Sequence, residues 1–179
     1  MVNIKTLKSN RLTLIASTLE HVRTELEAPE KLSGLLSAEV SKAWPTGEYD
    51  RAAMEFFRAC FEAGGEAVEG WYGWYAVHDP DATSPRTLVG AAGYFGPADC
   101  DGTVEIGYSV LPEWQRRGFA SEMVDSLVAH AFTFAGTKRV IAHTTAANPA
   151  SIAVLARCGF QAAGVGREGA LRFERPRPR

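Results

Sequence analysis

A short segment carries the residue types best suited to hold phosphate. It contains two arginines, a glycine and an alanine, in the order Gln115-Arg116-Arg117-Gly118-Phe119-Ala120. The N–H groups at the start of a helix are unpaired and carry a partial positive charge, so they favour an anion. Small residues let phosphate oxygens approach the backbone, and arginine side chains add positive charge. The segment therefore predicts a phosphate-binding loop, provided that a helix begins within it.

The flanking residues predict a strand before this loop and a helix after it. Across residues 102–111, apolar residues alternate with small or polar ones, as on a strand with one apolar face. After Gly118 the apolar residues recur every three or four positions, as on one face of a helix. They are Ala120, Met123, Val124, Leu127, Val128, Ala131, Phe132 and Ala135. A strand thus leads into a helix through the candidate loop.

Two common nucleotide-binding motifs do not fit this loop. A Walker A loop needs Gly-Lys-Ser/Thr, and the segment has neither the lysine nor the hydroxyl that would hold magnesium. A dinucleotide fingerprint needs G-x-G-x-x-G before a helix, whereas residues 90–96 have a different glycine spacing and no predicted helix after them.

The loop instead resembles the Q/R-x-x-G-x-G/A pyrophosphate loop of the GNAT superfamily, the acetyl-CoA-dependent N-acyltransferases. The resemblance continues downstream, because residues 139–147 are similar to that family's next strand. Residues 148–160, with Asn148 and Ser151 at the start and Gly-Phe at the end, resemble its Asn-x-x-Ser/Ala…Gly-Phe helix. The similarity covers residues 86–165 well and the N-terminal half in outline.

The N-terminal half is similar to one branch of that superfamily. A helical insertion between the first two predicted strands resembles the ribosomal-protein N-terminal acetyltransferases, the RimJ/RimL-like branch. Arg11-Leu-Thr-Leu near the start and Trp44-Pro45 before the second helix also resemble that branch.

The order of predicted elements indicates one α+β domain, with a central mixed, mostly antiparallel sheet and helices on both faces. The resemblance implies the same GNAT fold. Strands are predicted at 11–15, 71–77, 87–95, 103–111 and 139–147, followed by two final strands. Helices are predicted at 18–36 and 48–63, the second with core spacing at Ala53, Phe56, Phe57, Cys60 and Phe61. The domain is predicted over residues 1–175, with a short basic tail at 176–179.

Length and composition favour one compact domain, because 46% of the 179 residues are hydrophobic. No apolar stretch has the ~18–20 residues of a membrane span, and no secretory signal is visible.

The three cysteines are far apart and form no C-x-x-C, which argues against a disulfide framework or a zinc site. The four histidines show no metal-ligand spacing, and each is interpreted as a surface or core residue. We therefore expect a cytoplasmic protein with no metal.

Charge is distributed unevenly along the chain. Residues 18–70 hold 11 acidic and 5 basic residues, whereas residues 113–179 hold 5 acidic and 10 basic ones. The basic half contains the predicted phosphate loop, and the acidic half could attract a cationic amine. Ordinary solvated helix faces explain the same pattern equally well.

Acyl transfer to an amine needs a base for the amine, donors for the thioester oxygen and stabilisation of the departing thiolate. Glu105 shares a strand face with Gly107 and Ser109, which leaves room for a ligand, although such a face could also be plain solvent surface. The resemblance favours function, because a glutamate on this strand recurs in GNAT enzymes as base or water-positioner. The resemblance also implies that the strand end binds the thioester carbonyl and the pantetheine arm, through backbone N–H groups around Ser109, Val110 and Leu111.

Asn148 followed by Pro149 and an apolar run predicts a helix start, with Asn148 as N-cap. The resemblance implies that this asparagine also binds the cofactor arm and that Ser151 could face the thiolate. Many GNAT enzymes place a tyrosine acid further along this helix, where this chain has Leu155. The general acid is therefore Ser151, a water or none, with Ser151 preferred. The residues that the resemblance assigns to acetyl-CoA are Ser109, Val110, Leu111, Gln115, Arg116, Arg117, Gly118, Phe119, Ala120, Ser121, Asn148 and Ser151.

The predicted function is transfer of an acetyl group from acetyl-CoA to a primary amine by direct attack in a ternary complex. The preferred acceptor is a protein N-terminal α-amine, and the alternatives are a small-molecule amine, such as a polyamine or aminoglycoside, or a non-catalytic acyl-CoA-binding module. A nucleotide-binding domain is a third interpretation. We expect no membrane or nucleic-acid partner, and a homodimer is possible.

Four strand aromatics could line an acceptor groove, although a core position is the preferred interpretation. They are Trp71, Tyr72, Trp74 and Tyr94.

Overall fold

An eight-stranded sheet forms the centre of the molecule. The computed structural model describes residues 4–47, 49–82 and 84–178. The strands are β1 (Thr6–Lys8), β2 (Leu12–Ala16), β3 (Gly73–His78), β4 (Thr87–Tyr94), β5 (Thr103–Val110), β6 (Arg139–Thr144), β7 (Gln161–Val165) and β8 (Leu171–Pro176). They lie in the order β1-β2-β3-β4-β5-β6-β8-β7. The helices are α1 (Leu19–Glu27), α2 (Leu32–Leu36), α3 (Arg51–Gly64), α4 (Phe119–Ala131) and α5 (Pro149–Arg157).

The pairing of β5 with β6 differs from that of the other neighbours, because it is parallel while they are antiparallel. Its register runs from Thr103 opposite Arg139 to Glu105 opposite Ile141 and stops there. Both strands continue, β5 to Val110 and β6 to Thr144. They therefore separate into a wedge that opens toward their carboxyl ends.

The two faces of the sheet are buried against different helices. Leu12, Leu14 and Trp74 belong to the larger core, together with Met123 and Leu127 of α4 and Leu155 of α5. The alternate residues face the other way, and α1, α2 and α3 cover them. The predicted fold, with a mostly antiparallel sheet between helices, is thus confirmed.

Several element boundaries differ from those predicted. The helix predicted over 18–36 divides at Pro29, which begins a short 3-10 turn because proline cannot donate to a preceding turn. The second helix begins at Arg51, where Asp50 caps it by accepting from the Ala53 N–H. Residue 48, where it was predicted to start, lies outside the described residues. The edge strand β1 was not predicted, because its three residues are too few for a period and are mostly exposed.

Residues 176–179 were predicted to form a basic tail outside the domain, and this prediction is wrong for Pro176 and Arg177. Pro176 belongs to β8, opposite Arg139 at the start of β6. Arg177 donates its backbone N–H to the Lys138 carbonyl and its Nε to the Thr137 carbonyl, at 2.8 and 2.7 Å. The sheet therefore extends through Pro176, and Arg177 is hydrogen-bonded beside it. Arg179 lies outside the described residues. None of the described helices has the length and hydrophobicity needed to cross a membrane.

Candidate active site

The wedge between β5 and β6 brings two helix N-termini to one edge of the sheet. Helix α4 follows β5 after the loop at residues 111–118, and α5 follows β6 after residues 145–148. Because the two strands are parallel, their carboxyl ends lie at the same edge. The wedge is therefore bordered by the start of α4 on one side and the start of α5 on the other.

The loop into α4 has the backbone geometry of an anion site. Gly118 is the N-cap with φ +84°, a left-handed conformation that favours glycine. The Glu122 N–H makes the first intrahelical bond, to the Gly118 carbonyl at 3.1 Å. The N–H groups of Phe119, Ala120 and Ser121 precede it and point out of the helix end. The Phe119 side chain is buried in the core, so this residue can offer a ligand only its backbone.

The side chains of the loop take different positions. Arg116 and Arg117 are exposed, and the Arg117 guanidinium lies 4.8 Å from the centre of the Trp114 ring. Gln115 turns back and donates from Nε2 to the Val110 carbonyl at 3.0 Å. The structure thus leaves both arginines available for phosphate, while the Gln115 side chain holds the loop against the end of β5.

An ion pair compensates the negative charge of Glu122 in the first turn of α4, where that charge would otherwise repel a bound phosphate. The Glu122 carboxylate accepts hydrogen bonds from Ser9 Oγ at 2.7 Å and from the backbone and Nε of Arg11 at 2.6 and 3.0 Å. Burial raises the pKa of Glu122, but these hydrogen bonds and the Arg11 charge hold it below its ordinary value. Arg11 also donates to the Arg117 carbonyl at 2.9 Å. A role for Arg11 in supporting this loop was not predicted, because 106 residues separate the two.

The backbone of β5 narrows the predicted donors for the thioester oxygen to one. The Leu111 N–H is already bound to the Val89 carbonyl at 2.9 Å. Backbone groups alternate in direction along a strand, so the N–H of Ser109 also faces β4 and that of Val110 faces the wedge. The Val110 carbonyl accepts from Gln115 on that open side. The prediction is therefore wrong for the N–H groups of Leu111 and Ser109, and it stands as a hypothesis for Val110.

Two hydroxyl groups meet across the wedge. Tyr108 OH on β5 lies 2.9 Å from Ser151 Oγ in the first turn of α5. Burial raises the pKa of Tyr108, partly offset by the hydrogen bond with Ser151, so the phenol stays protonated near neutral pH. Asn148 caps this helix as predicted, accepting from the Ser151 N–H through Oδ1 at 3.0 Å. Its amide nitrogen can still donate to a ligand.

Tyr108 was not predicted as a site residue, because it alternates with apolar residues that face the core. Leu155, at the position where many GNAT enzymes place a tyrosine, is fully buried in the core. The phenol beside Ser151 is therefore that of Tyr108 on β5. Helix α5 supplies no phenol at residue 155, which is a leucine.

Glu105 lies at the narrow end of the wedge with a histidine as partner. Its Oε1 is 2.8 Å from Nδ1 of His143, and both side chains are partly exposed. His143 follows Ile141, the residue opposite Glu105, by two positions on β6, so the two side chains share a face. Gly166 packs against the far side of the imidazole, where a Cβ would lie 2.3 Å from Nε2. The interpretation of every histidine as an ordinary surface or core residue missed this contact.

A cavity of about 240 Å³ lies on the same face of the sheet as Glu105. Helix α3 and the loop before it form one wall, and β4 and β5 form the floor, including Gly107, Tyr108 and Ser109. Phe56 on α3 lines the cavity and is 51% exposed, so its predicted core position is wrong. Adjacent residues on a helix point about 100° apart, which places Phe57 inward and Phe56 at the cavity mouth.

Two of the four predicted groove aromatics are core residues, as the preferred interpretation had it, whereas Trp71 and Tyr72 are half-buried and pack against the edge of the core. Trp74 and Tyr94 are buried, and Tyr94 OH donates to the Leu127 carbonyl at 2.7 Å, although Tyr94 also borders the cavity. Trp71 packs on Tyr94 and on Phe134. Tyr72 joins an aromatic cluster behind the cavity, with Phe56, Phe57 and Phe61.

No group of three or more His, Cys, Asp or Glu among the described residues could hold a metal ion. The three cysteines are free, and Cys158 is buried where α5 ends.

Comparison with known proteins decides the family. The sequence matches the acetyltransferase (GNAT) domain over residues 11–161. The chain belongs to the GNAT acetyltransferase family. This GNAT protein is also 37% identical to the uncharacterized N-acetyltransferase YoaA of Bacillus subtilis, over 46% of this chain and 47% of that one. It thus spans about half the length of that relative.

Solved structures share the fold of this GNAT protein at low sequence identity. RimL, a ribosomal L7/L12 α-N-protein acetyltransferase solved with coenzyme A, superimposes with a TM-score of 0.66 and 17% identity, over 96% of this chain and 98% of that one. A spermidine N-acetyltransferase chimera of Vibrio cholerae SpeG and hSSAT superimposes with a TM-score of 0.61 and 17% identity, over 93% and 96%. At such identities these similarities establish the fold only. The two proteins that share it act on different acceptors.

Proposed function

We propose that the protein transfers the acetyl group of acetyl-CoA to a primary amine, and that the amine is the α-amine of a protein N-terminus. The observation that carries this proposal is the separation of β5 from β6 beyond Glu105. It creates a wedge with an anion-binding helix start at its open end and a carboxylate at its narrow end, which suits a long phosphorylated thioester and an amine acceptor.

The residues around the wedge fit the acyl donor. The N–H groups at the start of α4, with the guanidinium groups of Arg116 and Arg117, bind the phosphates. The Val110 N–H faces the wedge and donates to the thioester oxygen as that oxygen gains charge. The Asn148 amide nitrogen donates to the pantetheine arm near the start of α5.

The chemistry is direct attack of the neutral amine on the thioester carbonyl carbon. A nitrogen–carbon bond forms and the carbon–sulfur bond breaks. The nitrogen loses one proton to Glu105, directly or through a water. The leaving sulfur takes one proton from the Ser151 hydroxyl as that hydroxyl takes the proton of Tyr108 OH, and Tyr108 regains a proton from solvent while Glu105 releases one to it. Tyr108 OH, 2.9 Å from Ser151 Oγ, supports that donation. The net products are the amide and free coenzyme A thiol.

Two considerations support an N-terminal α-amine as acceptor. Its pKa is near 8, so a single carboxylate such as Glu105 suffices to take its proton at neutral pH, whereas a lysine amine near 10.4 needs stronger assistance. RimL, which shares this fold, acts on the α-amine of a ribosomal protein. A small-molecule amine is the second candidate, since the spermidine acetyltransferase chimera shares the fold as well.

The test is release of thiol from acetyl-CoA in the presence of a panel of N-terminal peptides and small amines. We expect amine-dependent release by the wild type. Glu105→Gln is expected to lower kcat by roughly 10²-fold while acetyl-CoA affinity, measured by calorimetry, is unchanged. Binding of acetyl-CoA with no thiol release for any amine would instead identify a non-catalytic acyl-CoA-binding module.

A further inference from the structure

The described walls of the cavity beside β5 lack the carboxylates that a binding site for a polycation needs. Its walls are apolar and aromatic, and the residues that line it, as far as the structure describes them, include no Asp, Glu, Lys or Arg. Carboxylates are the groups that would neutralise a second or third ammonium of an acceptor. By charge complementarity, the cavity suits a neutral and apolar group.

Three acidic residues of the N-terminal half line a different cavity. Glu20, Glu66 and Glu69 border a second cavity, between the start of α1 and the end of α3. The two cavities have no lining residue in common. The acidic character of residues 18–70 therefore does not extend to the described walls of the cavity that adjoins β5.

The mouth of the cavity exposes two large apolar rings. Phe56 and Phe95 are 51% and 59% exposed, which places them among the most exposed large hydrophobic side chains of the described chain. Phe95 covers Gly107 on β5, because a Cβ added to that glycine would lie 3.3 Å from the ring. Two rings at the rim of one cavity form an apolar patch that a ligand can bury.

A buried carboxylate, that of Glu25, holds the inner wall of the cavity in place through hydrogen bonds. Tyr49 lines the cavity, but its hydroxyl is bound to Glu25 Oε2, so it presents its ring and not a free polar group. The same carboxylate accepts from Tyr75 OH at 2.6 Å and from Trp44 Nε1 at 2.8 Å. These bonds fix the wall, which favours recognition by shape and hydrophobicity.

We infer that this cavity binds an apolar substituent next to the acceptor amine, so that the substrate class is a primary amine beside a large apolar or aromatic group. A peptide N-terminus that begins with a large apolar residue has this chemistry, and so does a small arylalkylamine. The inference rests on the proposed acetyl transfer, because it assigns the acceptor of that reaction. It excludes polyamines and aminoglycosides as preferred acceptors.

The experiment measures kcat/KM for thiol release with matched acceptors. The tripeptide amides Phe-Ala-Ala and Ser-Ala-Ala differ only in the first side chain, and phenethylamine and spermidine represent small apolar and polycationic amines. We expect Phe-Ala-Ala to exceed Ser-Ala-Ala by about 10- to 100-fold, the range that a hydrophobic pocket can supply. Phenethylamine is expected to exceed spermidine, and the ratio of phenethylamine to Phe-Ala-Ala tells which source of the apolar amine is used.

Phe56→Ala tests the cavity directly, and because the side chain is half exposed we expect the variant to keep the fold. We expect it to reduce the Phe-Ala-Ala to Ser-Ala-Ala ratio at least about fivefold with unchanged acetyl-CoA affinity. Phe134→Ala is the matched control, since this ring is 39% exposed and packs on Trp71 away from the cavity.

The outcomes separate the two proposals. Preference for spermidine or for Ser-Ala-Ala would overturn the inference and leave acetyl transfer standing. An unchanged ratio in Phe56→Ala would also overturn it. Binding of acetyl-CoA without thiol release for any amine of the panel would overturn the proposed function, and the inference with it.

Discussion

Glu105 Oε1 and His143 Nδ1 lie 2.8 Å apart, at the point where β5 and β6 stop pairing. The carboxylate proposed to take the amine proton is thus held by a side chain of the neighbouring strand. The strand register alone brings the two together, since 38 residues separate them in the chain. We therefore expect His143 to position Glu105, and its effect on the reaction can be tested apart from its effect on the fold.

His143→Leu is expected to lower kcat roughly tenfold, because it removes a hydrogen bond to a charged group and frees the Glu105 side chain to rotate. His143→Asn can place an amide N–H near the position of Nδ1, so it is expected to recover most of that loss. Steady-state thiol release gives kcat, and calorimetry gives the acetyl-CoA affinity, which we expect to be unchanged in both variants. Equal loss in the two variants would contradict the positioning role.

Tyr108 and Ser151 are expected to act as one unit. Tyr108→Phe keeps the ring and removes the hydroxyl that lies 2.9 Å from Ser151 Oγ, and Ser151→Ala removes the other hydroxyl. Each change is expected to lower kcat about tenfold, the worth of one hydrogen bond to the departing sulfur. The double variant is expected to resemble the single ones, because groups that share one task are not additive. Effects that multiply in the double variant would show that the hydroxyls act independently.

Gly118 is expected to control binding of the acyl donor. Gly118→Glu places a negative charge at the N-terminus of α4, where the phosphates would lie, and is expected to abolish measurable acetyl-CoA binding in calorimetry. Gly118→Gln is the matched control, since it has the same size and the same backbone strain at φ +84° without the charge. We expect Gly118→Gln to bind measurably better. Equal affinities in the wild type and Gly118→Glu would show that phosphate binds elsewhere.

Glu25 is expected to make stability depend on pH. Burial raises the pKa of this carboxyl above its ordinary 4.5, although hydrogen bonds from Tyr49, Tyr75 and Trp44 oppose the rise. The folded protein then holds a proton that the unfolded chain has released. This contribution to stability is complete below pH 4.5 and is lost as the pH rises through the raised pKa.

Urea unfolding of the wild type and Glu25→Gln between pH 4 and 8 measures this contribution. We expect the stability of the wild type relative to the variant to fall with rising pH, with a slope of at most about 1.4 kcal/mol per pH unit for one proton. Glu55→Gln, on the exposed side of α3, controls for the loss of one carboxylate. A difference that rises with pH would contradict the direction of the Glu25 shift.

Local interactions made the loop before α4 and the starts of α4 and α5 predictable from the sequence. Apolar residues recur every second position in β5 and every third or fourth position in α4. This change of spacing located the end of β5 and the start of α4. Asn148 caps α5 through a bond to a residue three positions away. Such contacts involve neighbours in the chain, so composition and spacing suffice to predict them.

The partners of the site residues were decided by the tertiary structure. The pairing of β4 with β5 occupies the Leu111 N–H, and the separation of β5 from β6 leaves the wedge in which Tyr108 meets Ser151. Packing of α3 across β4 and β5 leaves Phe56 exposed and forms an apolar cavity on the sheet face that carries Glu105. These contacts depend on strand register and on which helix covers which face. A single sequence does not encode register locally, because it is settled by pairing between residues tens of positions apart.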